Sequence, residues 1–471
     1  VVSIPFPTGS QPGRNAQESG GRLINCYAEE LGNAAGGVAV IRSAPGLLEF
    51  GDSELTGFRG QILIGQRLFA AFEDTLVYFN SAGAVTVVGE LQGTLPVFFS
   101  RNNRRPTPDA VVVTELGAFE FTDTIITPFV DGDLPQPNSV SFQDGYFFFT
   151  TQDGLCYASG LNDVTVNALD FTSAESNPDG LYRVISFSQQ LYLMGPSSIE
   201  VYSNTANEVG FPFSRVTTIP RGLISPYAVT GFEEGFGRSV CWVADDNAVY
   251  MLNGYQPQKI STPIIDSNIQ EVVNKISIEM SCYVENGHAC ISVDMPEHSW
   301  IYDLSSQVWH ERKSYFQERW RATGNSVFGF GRWLRGDMLS GAVMHITETT
   351  RTEGINPLPV IIESGESQQF PSGAIIPRAD FDFDKGTGRA TGIDPIERNP
   401  LCEISWSNDG GEQFSDPVQR EIGQQGITKQ RVHVTRTGFS SGNGRRWRIV
   451  VSDPVYVGFL GGDMTAIPRS R

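Results

Sequence analysis

Short runs of β-branched and aromatic residues recur along the chain, cut at close intervals by Gly, Pro, Asn and Asp. Residues 68–72 are followed after Glu73-Asp74 by 75–79, residues 110–114 lead to 118–122, and 145–151 is bounded by Gln143-Asp144 and Gln152-Asp153-Gly154. Runs this short suit strands and fall below the length of most helices. Further runs lie at 60–65, 191–194, 199–202, 240–244, 248–252, 289–293 and 300–303, often as pairs joined by two to four turn residues such as Asp245-Asp246-Asn247. Such pairs read as antiparallel hairpins.

The rhythm predicts an all-β chain. It is densest over 46–347, and at roughly 40–50 residues per four-stranded blade that span holds about six to seven blades of an irregular β-propeller. A stack of open sandwiches is the other arrangement the spacing allows. Residues 1–45, broken by Pro5, Pro7, Pro12, Gly20-Gly21 and Gly36-Gly37, read as an extended arm with one strand near 23–28. Residues 348–392 read as a linker or long loop. Runs at 402–406, 430–434, 447–451 and 455–459 place a small C-terminal β-sandwich over 393–471. One helix is expected: Ile264, Ile265, Ile269, Val272, Val273 and Ile276 recur near the helical period, with Ser261 or Thr262 as cap and Pro263 in the first turn.

Composition narrows the function. With 471 residues, 40% hydrophobic, the chain is long enough for a large core and reads as soluble and globular. No apolar run of membrane-spanning length occurs, and the first residues lack the basic and apolar regions of a secretory signal. The six cysteines are scattered without a CxxC pair and read as buried thiols. The net charge of −19 opposes a protein that grips phosphates. Only five of the 34 basic residues are lysine, and the planar arginine fork suits partly desolvated contacts between subunits.

Chemistry-bearing motifs are sparse. The five histidines are far apart, with no HxH or HExxH, which excludes a familiar zinc site. Asp380, Asp382 and Asp384 alternate as an exposed strand face would, without calcium-loop spacing. No Walker loop, GxGxxG or GxSxG is present, so no catalytic, cofactor or metal residue is assigned. Ser407-Asn408-Asp409-Gly410-Gly411-Glu412-Gln413-Phe414 looks like the Asp-box of sialidase-type propellers, a structural turn in which Ser407, Asp409, Gly411 and Phe414 tie a hairpin. Two clusters mix bases and aromatics, 312–321 and 445–448. Their Arg312, Arg319, Trp320, Arg321, Arg445 and Arg446 are the candidate subunit or partner contacts, because Arg and Trp are favoured at interfaces.

Several stretches fall in a telling order. These are Arg14-Asn15-Ala16, Asn25, Arg42-Ser43-Ala44-Pro45-Gly46, Ser176-Asn177-Pro178-Asp179-Gly180 and residues 195–202. Ile301-Tyr302-Asp303 with Trp309, Arg335-Gly336-Asp337 with Ser340-Gly341, and Val451-Ser452-Asp453-Pro454-Val455 complete the series. In this order the chain resembles the tail hub, or nozzle, proteins of short-tailed bacteriophages, also called packaged-DNA stabilisation proteins. The resemblance implies a non-enzymatic virion protein without cofactor, assembled in the host cytoplasm. Six copies would form a ring below the portal or its adaptor. The ring would retain DNA, pass it during ejection without binding it specifically, and carry fibres or spikes and a plug or needle. An acidic wall would let a polyanion slide. The competing expectation is a viral adhesion propeller that binds or cleaves glycans.

Overall fold

The computed structural model describes the chain except residues 31–38, 175–178, 208, 209, 368–371, 428, 443, 470 and 471. Gly36-Gly37 and Ser176-Asn177-Pro178 therefore lie outside the described residues. The chain is a β-propeller joined to a two-sheet β-sandwich.

Six blades are contiguous four-stranded meanders over 58–90, 98–128, 139–173, 183–219, 229–259 and 279–311, numbered one to six here. The seventh is composite. Ala322–Gly329, Arg332–Asp337 and Ala342–Thr347 supply its inner strands, and Gly46–Asp52, from before blade one, pairs antiparallel with Ala342–Thr347. This pairing closes the circle with hydrogen bonds in place of a covalent link.

The continuous apolar runs of the sequence follow from this arrangement. A blade is covered on both faces by its neighbours, so both sides of each strand are apolar. Phe147 and Phe149 face the core between blades two and three, whereas Phe148 faces the core between three and four. Leu68, Ala70 and Phe72 likewise turn to the seven–one core, and Phe69 and Ala71 to the one–two core. The largest core joins blades four to seven around Trp242, Trp300 and Trp320.

The sandwich draws on both ends of the chain. One sheet runs Arg22–Ile24, Val360–Glu363, Arg446–Val451, Leu401–Ser407, Val418–Glu421. It continues into blade six, because Ile24 pairs parallel with Glu311 of the strand Val308–Glu311. The other sheet contains Cys26–Glu30, Ala39–Ser43, Gly458–Arg469, Gly373–Phe383 and Val432–Thr435. Between them pack Phe381, Trp447, Ile449 and Phe459.

Several expectations need correction. The arm 1–45 is not a loose extension, since Arg22–Ile24, Cys26–Glu30 and Ala39–Ser43 are paired in the two sheets. Residues 348–392 are not a linker: Val360–Glu363 and Gly373–Phe383 are sandwich strands. The second of these hid because every other side chain faces outward and its ladder shifts register between Ile375 and Arg378, at Pro377. The last strand begins at Gly458, later than the expected 455–459. The helix spans Pro263–Glu271 with Pro263 in its first turn, but Thr262, at the cap position, makes no side-chain capping bond. Ser261 does not cap either; its hydroxyl accepts from the Val249 amide and donates to Asp266.

All six cysteines are free and buried. Cys282 lies opposite Ile291, and Cys290 opposite Tyr283, so the two thiols point to opposite faces of one ladder.

Candidate functional site

The six residues expected at an interface lie inside the molecule. Arg312, Trp320 and Arg445 are fully buried, Arg319 and Arg446 nearly so, and Arg321 is mostly covered. They form two clusters that hold elements of this one chain together, so they cannot contact a neighbouring subunit as they stand.

The first cluster sits where blades six and seven meet the sandwich. The segment after blade six turns back so that Trp320 packs inward, with the guanidinium carbons of Arg312 and Arg335 4.4 and 5.1 Å from its ring centroid. Arg312 donates to the Pro45 carbonyl at 2.9 Å and reaches Glu353 at 3.5 Å. Arg335 donates to Asp294 at 3.0 Å and to Ser292 at 3.2 Å. The Trp320 indole N–H donates to Glu353 at 2.9 Å, and Arg321 forks onto Asp337 at 2.8 and 2.5 Å. Arg312 Nε and Nη1 and Arg335 Nε make no hydrogen bond, and both guanidiniums rest on the Trp320 ring instead. Nearby, Arg22 bridges to Glu311 at 2.6 Å and Arg448 to Glu363 at 2.7 Å.

Desolvation makes this centre sensitive. Burial raises the Asp294 carboxyl, but Arg335, Arg319 and the hydroxyls of Ser292 and Ser299 outweigh it and hold Asp294 below its usual range. Burial of Glu353 prevails over Arg312 and Trp320, so its carboxyl is raised. Residues that carried the sequence resemblance converge on the same junction. Asn25 donates to the carbonyls of Lys313 and Pro359, each at 2.8 Å. Gly336, next to Arg335, packs at the seam of blades seven and one, so close beneath Phe58 that a Cβ would sit 2.1 Å from the ring. Ser340 donates to Asp337 at 2.6 Å.

The second cluster is in the sandwich. Arg445 donates to the Thr437 hydroxyl and carbonyl at 2.8 and 3.0 Å, and Arg446 donates to the Ser19 carbonyl at 2.8 Å. Burial lowers Arg445 to about 10. In the adjacent hairpin Ser407 donates to Asp409, whose Oδ1 accepts from the amides of Glu412 and Gln413, while the Gly411 amide donates to Ser407. Phe414 lies under Arg448, 3.7 Å from centroid to guanidinium carbon.

A cavity of about 370 Å³ lies on the propeller axis, and every innermost strand lines it. Its aromatic wall includes Phe98, Tyr227, Phe232 and Phe328, and its charged groups include Arg59, Arg101, Arg183, Glu233 and Glu279. Arg59 is saturated: it donates to the carbonyls of Glu73, Leu91 and Leu95 and reaches Glu115. Glu233 accepts from Thr230 and Gly231, and Glu279 from Thr323 and Gly324. No sequence motif flagged this site. Arg183 opens the strand Arg183–Phe187 directly before the apolar pair Val184-Ile185, a signal that an inward charge was present.

A third feature joins blade six to the sandwich. Tyr27 packs against His288 and His310, with centroids 4.8 and 6.0 Å apart. Asp303 accepts from His288 Nδ1 at 2.7 Å and raises it, whereas burial lowers His310 to about 3. Among the described residues, no group of three or more His, Cys, Asp or Glu is placed to hold a metal, and no helix is long and apolar enough to cross a membrane.

Residues 4–351 match the Phage_stabilise family model, described as the bacteriophage P22 Gp10 β-propeller. No curated protein matches the chain. Similar solved structures include YCF48 bound to D1 peptide, with 9% identity, TM-score 0.41, 65% of this chain and 98% of that chain covered. The WD40 β-propeller domain of Doa1 matches with 11% identity and TM-score 0.40 over 64% of this chain and 95% of that one. Both likenesses are too loose to carry an argument about function.

Proposed function

We propose that this chain, which belongs to the Phage_stabilise family and is thus a structural phage protein and a virion component, is the tail hub that keeps packaged DNA in the head. Six copies form a ring below the portal or its adaptor, DNA slides through the ring during ejection, and fibres or spikes and a plug or needle attach to it. The family match is the observation that carries this reading. Charge supports it. Among the described residues, seven arginines are buried and seven acids are buried with them, so the interior charges cancel. The surplus of −19 is therefore displayed outward, which keeps a polyanion from adhering. The family implies a structural role in preference to catalysis.

Electron cryomicroscopy of virions is the test, beside particles made without this protein. The reading expects sixfold density for this chain at the tail vertex, and protein-free particles that fill with DNA and then lose it. Density elsewhere in the particle, or full DNA retention without the protein, overturns it. Release of sugar from host glycans by the purified chain would favour the adhesion reading instead.

A further inference from the structure

The axial cavity holds one arginine whose hydrogen bonding differs from that of its neighbour. Arg59 spends its donors on backbone carbonyls and Glu115. Arg183, in the same cavity, makes one protein hydrogen bond, from Nη1 to the Pro226 carbonyl at 2.9 Å. Its Nε and Nη2 are not among the sealed, unsatisfied nitrogens, so this edge opens to the cavity. That edge carries two parallel N–H groups, the spacing that matches one carboxylate. The guanidinium is held in place: its carbon lies 4.7 Å from the Phe98 ring centroid and 5.1 Å from that of Phe232, and Tyr227 stacks on Phe98 at 5.4 Å. Orientation is thus set before any ligand arrives, which lowers the entropic cost of binding.

We propose that the propeller axis is a binding site for a single carboxylate group, received side-on by Arg183 Nε and Nη2 in an aromatic-walled cavity. The other charges of the cavity select the ligand. Glu233 and Glu279 are held by hydroxyl and amide donors, and Arg101 reaches Glu234 at 3.5 Å, so these groups leave Arg183 without a carboxylate partner. Their negative charge disfavours a dianion such as phosphate and favours a monoanion on a neutral or cationic stem. The volume of about 370 Å³ admits a small acid or a few residues of an extended peptide. Burial, only partly offset by Glu233 and Tyr227, lowers Arg183 to about 10, and an incoming carboxylate would reverse that shift.

Calorimetric titration of the full chain tests this with four probes: acetate, tetra-alanine with a free C-terminus, its C-terminal amide, and inorganic phosphate. The expected result is binding of acetate or the free-acid peptide, with amide and phosphate at least about tenfold weaker. Tighter binding of the peptide acid than of acetate assigns the carboxylate to a polypeptide; the reverse assigns it to a small molecule. Arg183→Gln is expected to abolish the binding. Arg183→Lys, which keeps the charge and loses the fork, is expected to weaken it about tenfold. Thermal melts of both variants establish that they are folded. Failure of both carboxylates to bind, equal binding of acid and amide, preference for phosphate, or binding unchanged in folded Arg183→Gln each overturns the proposal.

Discussion

Arginine is buried in two ways in this molecule. At the junction of propeller and sandwich, Arg335 and Arg321 meet the carboxylates of Asp294 and Asp337, and Arg312 and Arg335 share the Trp320 ring. On the propeller axis, Arg183 meets rings and one carbonyl but no carboxylate. The first arrangement satisfies its charges within the chain and ties three elements together. The second leaves a charge oriented and unmatched. Burial of a cation is therefore not itself a sign of function; what matters is whether the fold also supplies the counter-charge.

The largest expected effect breaks the junction. Asp294→Ala leaves the fully buried Arg335 without its partner and should cost about 3–5 kcal/mol, read as a lowered denaturation midpoint. A loss below about 1 kcal/mol would show that the pair does not hold the junction.

Next comes pH. His310 stays neutral in the folded chain because burial lowers it to about 3, whereas the unfolded chain takes up that proton from about pH 6.5 downward. Stability should therefore fall by roughly 1 kcal/mol per pH unit as pH drops below that value. His288 has the opposite sign: raised by Asp303, it stabilises at low pH and that contribution is lost as pH rises through its folded value. The buried His310 should dominate, so His310→Gln should flatten the pH dependence of the melting temperature between pH 7 and 5. An unchanged slope would remove the junction's histidines from the account.

Asp409→Ala, in a turn remote from both sites, should cost about 1 kcal/mol through the lost amide acceptor. It calibrates what an ordinary polar contact contributes in this chain. Arg183→Gln should change stability least, by under about 1 kcal/mol, because its lost hydrogen bond and ring contacts are offset by the removal of a buried charge that has no counter-ion. A loss as large as that of Asp294→Ala would make the axial arginine a structural group and erase the comparison.

The strand rhythm was legible because blades are covered on both faces, which writes runs such as 145–151 as unbroken apolar text. The Ser407 turn was legible because its bonds are local, within six residues of chain. Gly373–Phe383 was not, since half its residues face outward and Pro377 interrupts the alternation. The bases at 312–321 were visible as residue types, yet their direction was hidden. Nothing near them in the chain announces Asp294 or Glu353 as partners.

By itself, then, the order of residues determined the all-β class, the hairpin pairing of neighbours and the net acidity, all of which depend on nearby residues or on composition. The tertiary structure decided that Gly46–Asp52 closes the seventh blade and that both termini share one sandwich. It also decided which arginines are matched and which is left open on the axis. Those outcomes depend on contacts between residues tens to hundreds of positions apart, and strand periodicity carries no information about which distant edge or charge a segment will meet.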